Sequence, residues 1–229
     1  MCGRYNVIPN AQAFADAFGV LAGLDALPTE PMWNIAPSSD KCETKVPIVR
    51  MGAQGRELVM VHWPLVPFWA RGRPVAYSTA NAKAETLAEK PVFRGPWQKR
   101  RCLIPASGYY EWQVLPGRRT KQPHHIRLHD TPVFAFGGLW ETSRTDAGEA
   151  VESCAVVTTP PAVAIAHIHN RMPLILPPAA YEDWLTGTAE AAGRLLVPYP
   201  GAELEAYAIG TAVNNPLFND PRCIEPAAA

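Results

Sequence analysis

The stretch Arg101-Cys-Leu-Ile-Pro-Ala-Ser-Gly-Tyr-Tyr-Glu-Trp112 decides the fold that the sequence predicts. Its two short, mostly apolar runs, 101–105 and 108–114, are bounded by proline and glycine, which is typical of short β-strands. Because alternate side chains of a strand share a face, Tyr110 and Trp112 lie on one face and Glu111 on the other. A carboxylate in such an apolar strand is expected to have a raised pKa, which suits proton transfer. The alternative is a Glu111 that faces solvent on an edge strand.

Similar runs, rich in β-branched or aromatic residues, recur along the chain. They predict further strands at residues 5–8, 46–51, 57–63, 124–128, 133–140, 152–158, 173–176 and 203–209. The basic loop 115–123, which contains Pro116 and Gly117, is predicted to join two strands as a hairpin. The sequence therefore predicts an α+β fold with a mainly antiparallel, barrel-like β-sheet core and a few short helices.

The helix signals are modest. Helices are predicted at residues 11–18, 82–89, 178–185 and 189–195. Asn10 caps the first and Gly19 ends it, Pro91 stops the second, and Pro178 begins the third. Proline makes up 24 of 229 residues, about twice its usual share of roughly 5%, and so keeps the elements short.

The net charge is zero, but the charges are unevenly distributed. Residues 1–70 carry 5 basic and 6 acidic groups, residues 71–130 carry 12 and 4, and residues 131–229 carry 4 and 11. The middle segment therefore has a net charge of +8 and the C-terminal segment one of −7. Aromatic residues lie among the cations of the middle segment, which favours a nucleic-acid partner. The alternative is a solvated surface paired with the acidic segment.

The sequence has no apolar run of about 18 residues and no secretory signal at its first residues, so no membrane association is expected. Five scattered cysteines form no C-x-x-C pair: Cys2, Cys42, Cys102, Cys154 and Cys223. They favour reduced thiols in the cytoplasm over disulfides or a zinc site. No metal or cofactor is expected.

Cys2 is the first candidate for chemistry. If Met1 is removed, Cys2 carries an α-amine with a pKa of about 7.7–8.0 beside a thiol with a pKa of about 8.5. An amine attacks an aldehyde to give a Schiff base, and the neighbouring thiol then closes a thiazolidine ring. The alternative is an accidental second residue that stays behind Met1.

Two further polar segments, residues 167–173 and 81–86, carry candidates. His167 and His169 share a face if extended, but no third metal ligand follows, so an acid–base role or a structural pair is favoured over a metal site. Arg171 either anchors a phosphate or carboxylate or forms a structural salt bridge. Asn81 either caps the second predicted helix or presents its amide to a ligand, with Lys83 near a phosphate.

Several short motifs together are similar to those of one protein family. They are Cys2-Gly-Arg-Tyr, Asn34-Ile-Ala-Pro37, Trp63-Pro-Leu-Val-Pro67, Asn81-Ala-Lys-Ala-Glu-Thr86, Lys90-Pro-Val-Phe-Arg94, the stretch 101–112, Thr158-Thr159, His169-Asn-Arg-Met-Pro173 and Val213-Asn-Asn215. In these motifs, which run from residue 2 to about 215, the chain resembles the SRAP (SOS-response-associated peptidase) family of abasic-site DNA–protein crosslinkers. The resemblance implies one SRAP-like domain over residues 1–229, with a flexible tail expected from about residue 220.

The resemblance also implies a mechanism. The amine of Cys2 captures the ring-opened aldehyde of an abasic site and its thiol closes the thiazolidine. Glu111 moves protons, His169 protonates the sugar ring oxygen or the imine, and Asn81 holds the sugar or the Cys2 backbone. The implied phosphate contacts are Arg4, Asn34, Lys83, Arg94 and Arg171, and the implied stacking residues are Trp63 and Trp112.

The expected partner is single-stranded DNA containing abasic sites, bound by a monomer in the cytoplasm, at the nucleoid if the chain is bacterial. The family usually has arginine where Lys83 stands, which would lose a bidentate phosphate contact. It usually has glycine where Pro64 stands. Two rival functions remain open: a cysteine peptidase or amidohydrolase with Cys2 as N-terminal nucleophile, and a non-covalent single-strand-binding module.

Overall fold

The structure is a computed structural model that describes residues 2–39 and 43–227. Met1 and Cys42, on which two of the sequence predictions depend, lie outside the described residues. The strands are β1 (Tyr5–Val7), β2 (Met32–Ile35), β3 (Lys45–Gly52), β4 (Gly55–His62), β5 (Asn81–Lys83), β6 (Arg101–Ala106), β7 (Gly108–Gln113), β8 (Gln122–Leu128), β9 (Phe134–Arg144), β10 (Ala150–Thr159), β11 (Met172–Pro173), β12 (Ile175–Leu176) and β13 (Leu204–Ala208). The helices are α1 (Ala11–Phe18), α2 (Pro91–Lys99), α3 (Tyr181–Thr186) and α4 (Ala189–Gly193).

An eight-stranded sheet forms the larger part of the fold, in the order β11-β10-β4-β3-β6-β9-β12 with β5 added beside β10. Because β10 also pairs with β9, strands β10-β4-β3-β6-β9 close into a five-stranded barrel. Among the pairings between these strands, those of β10 with β4 and β5 are parallel and the others are antiparallel. Closure leaves these five strands without a free edge. The predicted α+β fold with a mainly antiparallel, barrel-like core is confirmed.

A five-stranded antiparallel sheet, in the order β13-β8-β7-β1-β2, packs against this barrel. Tyr5 of β1 contacts Phe136 of β9 edge to face, with ring centroids 5.7 Å apart, and Tyr109 of β7 contacts the same ring at 6.0 Å. Tyr5 also meets Trp63 at 5.6 Å. These fully buried rings supply much of the apolar area that joins the two sheets, and they fix β1 and β7 relative to the barrel wall.

Helix α1 forms where the sequence predicts it. The Asn10 side chain accepts a hydrogen bond from the Ala13 N–H at 2.9 Å, and Gly19 ends the helix at φ 62°. One face of α1 buries Phe14 and Phe18. The helices predicted at 178–185 and 189–195 are also present, as α3, preceded by a 3₁₀ turn, and α4.

The prediction of a helix at residues 82–89 is wrong. Asn81–Lys83 instead pairs with β10 as β5, and turns follow up to residue 90. The hydrogen bonds of the sheet outweigh the local helix propensity of this alanine- and glutamate-rich segment. A helix starts only at Pro91 and continues through Pro96, where burial of Val92, Phe93 and Trp97 offsets the missing backbone donor.

The strands differ from the sequence prediction in two places. Strand β2 has no clear sequence signal, and the strand predicted at 173–176 is divided into β11 and β12. The hairpin predicted across 115–123 is confirmed, since β7 and β8 are antiparallel neighbours. The tail predicted from about residue 220 is packed as far as residue 227: Cys223 is buried, and the Ala227 N–H donates to Ala208 O at 2.9 Å.

Within the described ranges, every helix is too short or too polar to span a lipid bilayer.

Candidate active site

Cys2 lies directly before β1 and is completely buried. Its Sγ donates to the carbonyl oxygen of Arg4 at 3.8 Å. Burial raises the pKa of the Cys2 thiol well above its ordinary value, and the nearby charge of Glu111 raises it further. The thiol is therefore neutral at physiological pH, and a neighbouring base has to remove its proton before the sulfur can attack.

Glu111 supplies a group of that kind. It lies on β7, is buried, and burial raises its pKa to about 7, an effect that the positive charge of Lys121 partly opposes. The raised pKa expected from its apolar strand is confirmed, and the solvent-facing alternative is wrong. Near neutral pH, Glu111 is present in both protonation states, so it can take or give a proton.

His169 contacts this carboxyl from the loop between β10 and β11. Its Nδ1 lies 3.7 Å from Glu111 Oε2 and accepts the backbone N–H of Arg171 at 3.1 Å. Burial lowers the pKa of His169, so the ring is mainly neutral at pH 7. The same Nδ1 lies 3.3 Å from Arg171 O, so which of the two ring nitrogens carries the proton depends on the tautomer. His167 is exposed, whereas His169 is partly buried, so the two rings do not form a pair in the site.

Asn81 is the first residue of β5, so the prediction that it caps a helix is wrong. Its Oδ1 is buried and has no hydrogen-bond partner among the described residues. The side chain lines a cavity of about 530 Å³ with Tyr77, Lys83 and Lys90. A buried acceptor without a partner costs about 1–3 kcal/mol, and a ligand donor that reaches Oδ1 would remove this cost.

Arg4, Asn34 and Trp112 form a second group near the start of β1. Arg4 Nη1 donates to Asn34 Oδ1 at 2.9 Å and to Val213 O at 2.6 Å, while its guanidinium lies 5.9 Å from the Trp112 ring. Trp112 Nε1 donates to Asn214 Oδ1 at 2.7 Å. Asn34 uses its own amide N–H groups on carbonyl oxygens of this C-terminal segment, so it positions Arg4 from inside the protein.

The remaining predicted cations differ in their surroundings. Arg171 donates to both carboxylate oxygens of Glu85, at 2.5 and 3.0 Å, and to Thr158 O at 2.6 Å. Lys83 is exposed and lies in register with Thr158, so the two cations are neighbours. Arg94 is exposed on α2 and lines a separate cavity with Phe68 and Trp69.

Trp63 lies in the core rather than at the surface. It is fully buried, and its Nε1 donates to Ala80 O at 2.9 Å. Stacking on a DNA base, as the sequence predicts, would require this ring to leave the core. Trp69, six residues later, is 43% exposed and presents a ring to solvent, but no local pattern distinguishes the two tryptophans.

Two tyrosines near Cys2 were not among the predicted site residues. The hydroxyls of Tyr5 and Tyr109 are buried and have no hydrogen-bond partner in the part of the chain that the structure describes. Burial raises the pKa of both, with a contribution from the Cys2 charge that places both near its thiol. The strand alternation that isolates Glu111 also puts Tyr109 on its face, so this neighbour could have been predicted.

The described residues bring no three His, Cys, Asp or Glu side chains together in a way that could hold a metal ion.

The raised pKa of Glu111 makes a stability prediction. An unfolded glutamate ionises at about 4.3, below the value of about 7 in the folded protein. The folded state therefore binds the extra proton, and stability falls as the pH rises from about 4.3 to 7. Between about pH 5 and pH 8 the wild type should lose about 2–3 kcal/mol more unfolding free energy than Glu111→Gln. Urea denaturation measures both values, and parallel pH curves for the two proteins would contradict a buried, ionising Glu111.

Comparisons with known proteins agree on one family. A family model described as SOS response associated peptidase (SRAP) matches residues 1–216. The abasic site processing protein YoqW of Bacillus subtilis is 36% identical over 228 residues, which cover 98% of this chain and 99% of that protein. The abasic site processing protein HMCES of Mus musculus is 28% identical over 202 residues, which cover 75% of this chain and 57% of that protein. The crystal structure of a Bacteroides thetaiotaomicron protein has a TM-score of 0.83 at 26% identity, covering 99% of this chain and 100% of that one.

Proposed function

The chain belongs to the SOS response associated peptidase (SRAP) family, and from that membership we propose that it captures abasic sites in single-stranded DNA covalently through Cys2. Relatives from Bacillus subtilis and mouse are named abasic site processing proteins. The observation that carries the proposal is the buried Cys2 thiol within range of the charge of Glu111, whose carboxyl lies 3.7 Å from His169 and titrates near neutral pH.

The proposed reaction needs the free α-amine of Cys2, so Met1 has to be removed first. The neutral amine attacks the aldehyde carbon of the ring-opened abasic sugar, a C–N bond forms, and the carbonyl oxygen takes up a proton. Loss of one water gives the imine. The thiol then adds across the C=N bond: sulfur bonds to the carbon and the proton moves to nitrogen, which closes the thiazolidine. The net change is the loss of one water.

Glu111, His169 and Asn81 are the side chains that we assign to these steps. Protonated Glu111 gives its proton to the carbinolamine oxygen as water leaves, and the resulting carboxylate then takes the proton of the thiol and passes it to the imine nitrogen as the ring closes. His169 protonates the sugar ring oxygen as the ring opens. Asn81 Oδ1, which lacks a protein partner among the described residues, accepts a hydrogen bond from the sugar. No cofactor enters the reaction.

The DNA strand follows the exposed cations outside this pocket. Lys83 and Arg94 are candidates for direct phosphate contacts, whereas Arg171 shares its guanidinium with Glu85 and Arg4 shares its own with carbonyl groups. Trp112, partly exposed beside Arg4, offers a ring for base stacking. A duplex hides the lesion, so a single strand is the expected substrate. We expect the protein to act as a monomer in the cytoplasm.

The test is denaturing gel electrophoresis of the protein after incubation with an abasic single-stranded oligonucleotide. A slow band is expected with this DNA and not with undamaged DNA or with DNA whose abasic aldehyde has been reduced by borohydride. Binding of all three DNAs without a covalent band would support the non-covalent module. Peptide hydrolysis in the absence of DNA would support the peptidase hypothesis.

A further inference from the structure

The loop between β7 and β8, residues 114–121 and here called the hairpin loop, carries three clustered cations. Arg118, Arg119 and Lys121 are all exposed. Their side chains form no ion pair or hydrogen bond within residues 2–39 and 43–227. Gly117 at the tip, with φ 74°, has no other atom within 4 Å of the position of a Cβ. The hairpin loop therefore projects an uncompensated charge of +3 into solvent.

Some other basic residues of the same segment have acidic partners. Arg71 and Arg73 both pair with Asp146, Arg100 pairs with Glu141, and Arg127 pairs with Glu205. The cations of the hairpin loop differ from these four arginines in having no acidic partner among the described residues. Like charges held close together repel each other, and a polyanion relieves that repulsion while its counterions are released.

The hairpin loop starts at the rim of the candidate active site. In the β7–β8 register Glu111 is opposite His124, and Gln113 is opposite Gln122, directly beside the loop. Gln113 Nε2 also donates to His167 O at 3.3 Å, which ties the base of the hairpin to the segment that carries His169.

The charge of Lys121 reaches into the site. Burial raises the pKa of Glu111 and lowers that of His169, and the charge of Lys121 partly offsets the first effect and adds to the second. Three residues of strand from Glu111 to the loop span about 10 Å. A strand with B-form spacing of 3.4 Å per nucleotide covers the same distance in about three nucleotides. Lys83 and Lys90 are not part of the hairpin loop but line the cavity of about 530 Å³ beside Asn81.

We propose that the hairpin loop is a second DNA-binding surface, which holds the backbone phosphates a few nucleotides to one side of the abasic site. The proposal rests on the proposed function of Cys2, because it takes the position of the lesion as its origin. The cavity around Lys83 receives the DNA on the other side. The two basic surfaces then fix the strand on both sides of the aldehyde.

The experiment compares Arg118→Gln/Arg119→Gln with the wild type. Lys121 is kept so that the charge environment of Glu111 does not change. A matched control, Arg144→Gln/Arg194→Gln, removes two exposed cations elsewhere. Binding is measured by fluorescence anisotropy on single-stranded DNA with a borohydride-reduced abasic site, which prevents covalent reaction. The loss of two phosphate contacts should lower the salt slope by about 1.4 and weaken binding about tenfold at about 150 mM salt.

The same measurement on DNA shortened to one nucleotide beyond the lesion, on either flank in turn, locates the contact. When the flank that contacts the hairpin loop is missing, the variant should bind as well as the wild type. When the opposite flank is missing, the variant should still bind more weakly than the wild type. The yield of covalent adduct at saturating DNA should be unchanged. Unchanged affinity and salt slope in a variant that still forms the adduct would overturn the hairpin proposal alone. Failure of the wild type to form any adduct would instead overturn the proposed function.

Discussion

Cys2→Ala should lose the adduct that survives denaturation, with a yield at least about 100-fold below that of the wild type. The variant keeps an α-amine and can still form an imine, but it has no thiol to close the ring. The imine then hydrolyses when the protein unfolds in the gel. Gel electrophoresis under denaturing conditions, with and without heating, measures the difference.

Two controls distinguish loss of chemistry from loss of folding. Borohydride added during the reaction should reduce the imine of Cys2→Ala and restore a stable band, which shows that the variant still binds and presents its amine. Cys154→Ala removes another fully buried thiol, in β10 of the barrel, and should crosslink like the wild type. A heat-stable band from Cys2→Ala without borohydride would refute ring closure by this thiol.

A residue retained before Cys2 should prevent capture just as completely. The nitrogen of Cys2 is then an amide, whose lone pair is delocalised into the carbonyl group, so it cannot attack the aldehyde. The thiol alone can form only a reversible hemithioacetal. Neither a stable band nor a band trapped by borohydride is expected.

The matched control is the same extended protein with a protease site that ends immediately before Cys2. Cleavage exposes the α-amine without any change in the rest of the chain and should restore full crosslinking. The denaturing gel is run before and after cleavage. If the extended protein crosslinks as well as the cleaved one, the chemistry uses the thiol alone.

Local patterns predict the parts of this fold that depend on local contacts. The N-cap Asn10 and the C-cap Gly19 mark the two ends of α1 in the sequence itself. The apolar strand 108–113 predicts both its extended conformation and the raised pKa of Glu111, because burial follows from the neighbours in the same strand.

Properties set by distant parts of the chain are not visible in the sequence. Residues 81–83 form a strand because they pair with residues 156–158 of β10, and no helix signal can reveal that pairing. Trp63 is buried by Tyr5, 58 positions earlier. The ion pair of Arg171 with Glu85 links segments 86 residues apart. The proximity of Cys2, Glu111 and His169 has the same origin, and before the structure only family resemblance suggested it.

Intact-mass spectrometry tests the central claim, covalent capture by the α-amine and thiol of Cys2, most directly. The protein is measured before and after incubation with an abasic single-stranded oligonucleotide, and the adduct is then treated with a thiol-alkylating reagent under denaturing conditions. The predicted mass is that of the chain beginning at Cys2 plus the DNA minus one water, with one fewer alkylated thiol than the free protein. A chain that retains Met1 in the adduct, or an adduct in which every thiol is alkylated, would contradict it.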